Sequence, residues 1–475
     1  MELKDIFKIL PAVKNIEITE WDKPVQNIFC EYEKLKNKDY CSVLLRSDYS
    51  LLAYNPFVVA EINGNNIKLL SAQGFNETQV LSFESDPWDF IKQFTSFYKQ
   101  AESGFKHDSY AGIISAFGYE LFDADIGIKR RRNSYIDNTF PDGIFIIYED
   151  YLVLKGSDAV HIKIHLDKSK QKSNISNINE ELCKAQAGDQ SNLFGVTVFQ
   201  IKACSNFSKE SFMGAVNEVK RYIKEGDIYQ ANIAQRFLVS SNKEPFDLFK
   251  SFHKNSSTNF STFINAKNFY IISCSPERFL KREKNVLLTE PIKGTSPRSV
   301  CRIEDDKSYN SLITNTKEEA ELAMIVDLAR NDLGISAEPC TVKVEQLKQV
   351  EKYPNVFHLK AKITAQAGEH IHSIDIIRQA FPPASVTGCP KIRAVEIINE
   401  LEPNDRGFYC GCIGIINFSQ DFDLSVAIRT CVAVPDKKGS KIFFSAGSGI
   451  VWDSSAEKEY EETLHKSKPL FESLK

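Results

Sequence analysis

Apolar positions along the chain fall into short runs rather than one long one. Runs rich in aliphatic and aromatic residues at 42–45, 57–62 and 144–148 predict strands, and apolar residues at helical spacing fill 87–103. From Asp167 to Leu193 the pattern fails. Lys, Ser, Asn, Gln and Asp dominate there without a period, which predicts a surface linker. Set at 171–194, it separates an N-terminal region, 1–170, from a longer C-terminal one, 195–475. In the latter, Phe212, Val216, Val219 and Ile223 repeat at helical spacing between Ser208, a suitable N-cap, and Gly226. A strand follows, with Tyr229, Ala231, Ile233 and Phe237 on one face and Gln230, Asn232 and Arg236 on the other. That polar face meets either solvent or a polar site. Strands and helices then mix without regular βαβ alternation, so the expected fold class is α+β, with largely antiparallel sheets and helices outside.

Four segments carry candidate chemistry. Leu322, Ile325, Val326, Ala329 and Leu333 form the apolar stripe of a helix that Thr316-x-x-Glu319 opens as a capping box, with Glu318 inside the stripe and Glu321 at its margin. A second box, Ser454-x-x-Glu457, opens the last helix, where Glu459 and Glu462 repeat the i,i+3 spacing. Such acids either complement a helix dipole or, where two pairs meet, need a cation between them. Hard oxygen donors with no histidine beside them select Mg²⁺. The turn Ser385-Val386-Thr387-Gly388-Cys389-Pro390-Lys391 leads into a helix with Pro390 near its first position and Ile392, Val395, Ile398 and Leu401 as its buried residues. Followed by Lys391 and Arg393, this turn is either structural or a seat for a carboxylate or phosphate, and it is not a G-x-x-x-x-G-K-[ST] loop. Residues 269–295 read as a hairpin about Glu283-Lys284-Asn285. Opposed residues then have index sums of 569–570, which puts Glu277 opposite Lys293, either as a cross-strand ion pair or as an acid beside a nucleophile.

Composition adds exclusions. The 475 residues are 42% hydrophobic and 26% charged, enough to bury a core without disulfides. The 11 cysteines are odd in number and scattered without a CxxC pair, so neither a disulfide framework nor a zinc site is expected. A net charge of −4 provides no field for nucleic acid. No run approaches the ~18 apolar residues of a membrane span. Met1-Glu2-Leu3-Lys4-Asp5 lacks the apolar core of a signal peptide. The expectation is a cytoplasmic protein with neither nucleic-acid nor membrane partner.

Eight ordered motifs in the C-terminal region resemble the chorismate-utilising enzymes, a family that includes the anthranilate, aminodeoxychorismate, isochorismate and salicylate synthases. They are Gly226-Asp227-Ile228-Tyr229-Gln230, Ser275-Pro276-Glu277-Arg278-Phe279, Pro291-Ile292-Lys293-Gly294-Thr295, and the segments 321–332, 385–393, 428–430, 445–453 and 459–463. The resemblance implies an anthranilate synthase component I-like fold of two packed, largely antiparallel β-sheets with helices outside and the active site between them. It implies that Glu321 and Glu462 bind Mg²⁺ directly and that Glu318 and Glu459 bind it through water. Ser385, Thr387, Gly388, Tyr409, Arg429, Gly447 and Lys466 match positions that hold chorismate's carboxylates, and His358 matches a histidine beside the ring. Members that add water carry a lysine where this chain has Gln230, and an amide cannot deprotonate water. Anthranilate synthases carry alanine where this chain has Lys293, and aminodeoxychorismate synthases carry lysine. The resemblance therefore implies the aminodeoxychorismate synthase branch, component I. Chorismate and ammonia would become 4-amino-4-deoxychorismate, for p-aminobenzoate and folate, through a covalent Lys293 intermediate, with Glu277 as acid. The anthranilate branch is the alternative. Pro383-Ala384, Cys389 and Trp452 depart from the usual family residues. No Gly-x-Cys-x-Gly elbow surrounds a cysteine, so a separate glutamine amidotransferase subunit, component II, is the expected ammonia source.

Overall fold

The computed structural model describes all residues except 1–2, 8–9, 22–24, 26, 74–76, 100–109, 129–139, 168–192, 257 and 354–355. Two long antiparallel strands, Ser50–Asn63 and Gly143–Lys155, pair from Ser50↔Leu154 to Ile62↔Gly143, and two arms of sheet grow from them. One arm runs through Ser42–Leu45, Phe260–Asn265, Tyr270–Ser275, Thr430–Asp436 and Gly439–Ile450 to Gln230–Ser241. The other runs through Gly112–Phe117, Cys412–Asn417, Phe422–Val426, Arg278–Glu283 and Val286–Glu290 to Val356–Gln366. That last strand pairs in turn with Ile292–Pro297 and Lys343–Lys352. The two expected sheets are therefore joined at their root into one antiparallel network, with helices packed outside. The linker at 171–194 lies outside the described residues except for its last two positions. The chain approaches it along Asp158–Asp167 and continues into Phe194–Val198. The helix expected at 87–103 is Pro87–Phe97, and residues 100–103 lie outside the described residues.

Where local signals are strong the chain follows them. The helix Lys209–Glu225 starts at Ser208, whose hydroxyl accepts from Ser211 N at 3.1 Å, and stops at Gly226, whose φ of 87° is left-handed. Its apolar face, Phe212, Val216 and Val219, packs on Ala231, Ile233 and Ile450 and on Ala394 and Ile397 of the helix Lys391–Leu401. The polar face of Gln230–Ser241 does not meet solvent: Gln230 is 1% and Asn232 6% exposed. Ile392, expected inside, is exposed, because Ala394 and Ile397 take the inward positions of that helix.

Three local readings are corrected. Thr316 lies within its helix, Thr316–Ser336, and Asn315 caps it, the amide oxygen accepting from Glu318 N at 3.3 Å. The hydroxyl of Ser454 is used by Val451 N, so Ser455 takes the cap position of Ala456–Leu474 without a side-chain bond, and Glu457 reaches Lys209 instead. The hairpin turns at Lys284 with Glu283↔Val286 and Lys281↔Leu288, a sum of 569, but an irregularity shifts the register to Arg278↔Glu290. Pro291 has no N–H to continue the ladder, and Ile292–Pro297 crosses to Val356–Gln366, where Lys293 faces Leu359. Glu277 and Lys293 are therefore not cross-strand partners.

Candidate active site

A cavity of about 660 Å³ lies between the arms. Asn232, Thr430 and Ser445–Gly447 line it from one arm, Ile292–Thr295 and His358 from the other, and the helices Thr316–Ser336 and Ala456–Leu474 from the side. Leu322, Ile325, Val326, Ala329 and Leu333 are buried as expected. Packing that stripe leaves Glu318 and Glu321, on its flank, facing the cavity. Gly294 has a φ of +76°, a left-handed backbone that favours glycine, and a Cβ there would lie 3.0 Å from Glu318 Oε2, so the strand passes close to that carboxylate. Glu321 Oε2 lies 3.5 Å from Lys293 Nζ.

The C-terminal helix brings the second acidic pair. Glu459 accepts from the Ser448 hydroxyl. Lys466 Nζ sits 2.7 Å from Glu462 Oε1 and donates to Gly447 O at 3.1 Å. Burial alone would raise the pKa of Glu462, but Lys466 and Ser448 hold it below the ordinary carboxylate value. Among the described residues no three His, Cys, Asp or Glu side chains form a ready-made metal cage. Two oxygen-only pairs on one cavity suit Mg²⁺ all the same, since it takes one or two carboxylates, keeps several waters and completes its shell with substrate oxygens.

The acid expected at Glu277 is 4% exposed, and its Oε1 accepts from Ser385 Oγ at 2.7 Å. Burial pushes its pKa up to about 7, against the opposing pull of Ser385, the Ile292 N–H, Lys293 and Lys466. It is thus a carboxyl group half protonated near neutrality. His358 is 1% exposed, with neither ring nitrogen bonded. Burial, then the nearby Arg429, pushes its pKa down to about 3, which keeps the ring neutral.

Lys293, Glu277, His358, the four glutamates, Ser385, Tyr409, Arg429, Gly447 and Lys466 all line this cavity. Thr387 and Gly388 lie behind its wall. The Thr387 hydroxyl donates to Pro383 O at 2.9 Å, and a Cβ on Gly388 would lie 2.3 Å from Gln230 O. These two residues build the turn that carries Ser385. The helix start beyond it offers no spare cation, because Lys391 is bound to Asp332 at 2.9 Å and Arg393 to Asp227 at 3.0 Å. Sequence reasoning put Asn232 on a polar strand face and Gly449 in a matched segment without assigning either to the site, and it missed His465; all three line the cavity. The available signal was Gly447-Ser448-Gly449, two glycines on one strand face, which is where a strand leaves room for a ligand. Gln230 packs at the same place: a Cβ on Gly449 would meet Gln230 Nε2 at 3.1 Å and Lys293 Nζ at 3.3 Å.

The model of the chorismate binding enzyme family matches residues 57–472. Aminodeoxychorismate synthase component 1 of Bacillus subtilis (strain 168) is 30% identical over 449 residues, covering 92% of each chain. The corresponding protein of Escherichia coli (strain K12) is 42% identical over 270 residues, 57% of this chain and 59% of that one, so the match spans less than two-thirds of that relative. Among solved structures, anthranilate synthase component I from Streptococcus pneumoniae TIGR4 superposes with a TM-score of 0.71 at 27% identity, covering 89% of this chain and 92% of that chain.

Proposed function

This chain belongs to the chorismate binding enzyme family, and from that premise we propose that it is component I of an aminodeoxychorismate synthase, converting chorismate and ammonia into 4-amino-4-deoxychorismate. The observation that carries the reading is one cavity holding both an amine, Lys293, and a carboxyl group, Glu277, whose pKa lies near neutrality. Lys293 as the free amine adds to C2 of the ring, the two ring double bonds shift, and the C4 hydroxyl leaves as water with the Glu277 proton. Ammonia then adds at C4, the double bonds shift back, and the Lys293 amine leaves C2. The sum is loss of water and gain of the amino group. Gln230, an amide without basicity, supports ammonia over water as the second nucleophile. Neutral His358 lines the cavity as a donor or acceptor that repels no anion. Glu321 and Glu462 would hold Mg²⁺, with Glu318 and Glu459 through water, and the ion would neutralise and orient one substrate carboxylate. Ammonia would come from a glutamine amidotransferase subunit, in keeping with the "component 1" in the relatives' names.

The likeness to a solved anthranilate synthase favours a second reading, direct addition of ammonia with release of pyruvate. Purified protein with chorismate, Mg²⁺ and ammonium decides between them by the mass of the product. Aminodeoxychorismate is expected; anthranilate and pyruvate would overturn the reading.

A further inference from the structure

Asn232 is buried in the cavity wall, and its Nδ2 has no hydrogen-bond partner. A buried donor left without an acceptor calls for an explanation, and a ligand oxygen supplies one. The backbone cannot turn this side chain away. Asn232 N donates to Thr387 O at 2.8 Å, Asn232 O accepts from Arg406 Nη2 at 2.6 Å, and the residue is paired with Gly449 in the ladder. Arg406 is itself fixed by Glu402 and packed over the rings of Tyr119 and Tyr409. The amide points at Gly447, where a Cβ would lie 2.7 Å from Asn232 Nδ2 and 2.9 Å from the Tyr409 hydroxyl. Two donors therefore converge over one glycine. Lys293 lies instead by Gly449, two residues along the same strand face and about 7 Å away. Lys293 also contacts Glu321, so Gly449 marks the Lys293–Glu321 end of this strand face and Gly447 the end where Asn232 and Tyr409 meet.

We propose that Asn232 is a substrate-binding residue, its Nδ2–H donating to the carboxylate of chorismate's enolpyruvyl side chain, beside the Tyr409 hydroxyl. This rests on the reading of chorismate as substrate and Lys293 as nucleophile. The carbon that Lys293 attacks carries the ring carboxylate on its neighbour, which places that carboxylate on the side of Lys293 that faces Glu321. The enolpyruvyl group projects from the other neighbour, toward Gly447. The adjoining strand Thr430–Asp436, preceded by Arg429, borders the Gly439–Ile450 strand on the side away from Asn232, and Arg429 lines the same cavity.

The test compares wild type, Asn232→Ala and the near-isosteric Asn232→Asp, with circular dichroism reporting folding. Each receives chorismate and chorismate methylated at the side-chain carboxylate, the latter as an inhibitor. Asn232→Ala raises KM for chorismate by about 10- to 100-fold, the range for a hydrogen bond to a charged group, with kcat falling less. Asn232→Asp, which repels a carboxylate, raises it at least as much. The methyl ester binds wild type more weakly than chorismate does, and it binds wild type and Asn232→Asp about equally. If either folded variant keeps the wild-type KM, or wild type binds ester and chorismate alike, the assignment is wrong. Wild type that fails to bind chorismate at all would instead overturn the reading of the substrate.

Discussion

Replacing Glu277 by glutamine should change both stability and rate with pH. In the unfolded chain its carboxyl titrates near 4.5, and in the fold near 7. Below the lower value both states hold the proton and the fold keeps its full stability. Between the two values the unfolded chain has released its proton and the folded one has not, so stability falls as pH rises, and above about 7 the whole contribution is gone. The shift corresponds to roughly 3 kcal/mol. Glu277→Gln keeps an acceptor for Ser385 Oγ but cannot ionise, so relative to wild type it gains roughly that amount between about pH 4 and pH 8, read as a shift in urea midpoint. The same titration governs catalysis. If protonated Glu277 is the acid and Lys293 the free amine, the profile of kcat/KM for chorismate at constant free ammonia bends downward near pH 7, where Glu277 loses its proton, and Glu277→Gln is about 10²–10⁴ lower and lacks that bend. A wild-type profile without a bend near pH 7, or a bend there that survives in Glu277→Gln, would refute the assignment.

Activity should require Mg²⁺: excess chelator should stop turnover, and Glu321→Gln or Glu462→Gln should nearly abolish it, because one carboxylate of the proposed seat is lost; undiminished turnover in chelator would contradict this. Glutamine alone should support no turnover by the isolated chain while ammonium should, and adding an amidotransferase subunit should restore glutamine use; efficient glutamine-dependent turnover by the isolated chain would be the contrary result. Arg406→Met strands the buried Glu402 carboxylate and frees the carbonyls of Val386 and Asn232, costing about 3–5 kcal/mol in a denaturant titration, whereas a loss under about 1 kcal/mol would contradict a buried, mutually dependent pair.

The parts of this fold legible in the sequence are those that depend on near neighbours. The Ser208 cap, the stop at Gly226 and the buried stripe from Leu322 to Leu333 follow from spacing along one helix. The capping boxes failed because Ser/Thr-x-x-Glu cannot reveal a better cap one residue earlier, as at Asn315, or a hydroxyl already used by a preceding turn, as at Ser454. The hairpin count gave the turn correctly. It could not see the irregularity after Arg278, nor the move of Ile292–Pro297 to a strand about 65 residues further on. Glu277 and Lys293 reach one cavity through that longer route rather than across a ladder. Thr387 and Gly388 sit in the right turn but behind its surface, a distinction that depends on how Gln230–Ser241 packs on them. The two acidic pairs come from helices more than a hundred residues apart, and only the closure of the two arms puts them on one cavity.

The central claim is that Lys293 forms a covalent bond to the substrate, and peptide mapping by mass spectrometry tests it most directly. Wild-type protein held with chorismate and Mg²⁺ but without ammonia should gain one adduct, the mass of chorismate less water, on the peptide carrying Lys293. Lys293→Ala should gain none, should still bind chorismate through Arg429 and Tyr409, and should lose most ammonia-dependent aminodeoxychorismate formation. A Lys293→Ala protein with unchanged turnover and the same product, or a wild-type Lys293 peptide without adduct, would make this lysine a structural partner of Glu321 and contradict the account.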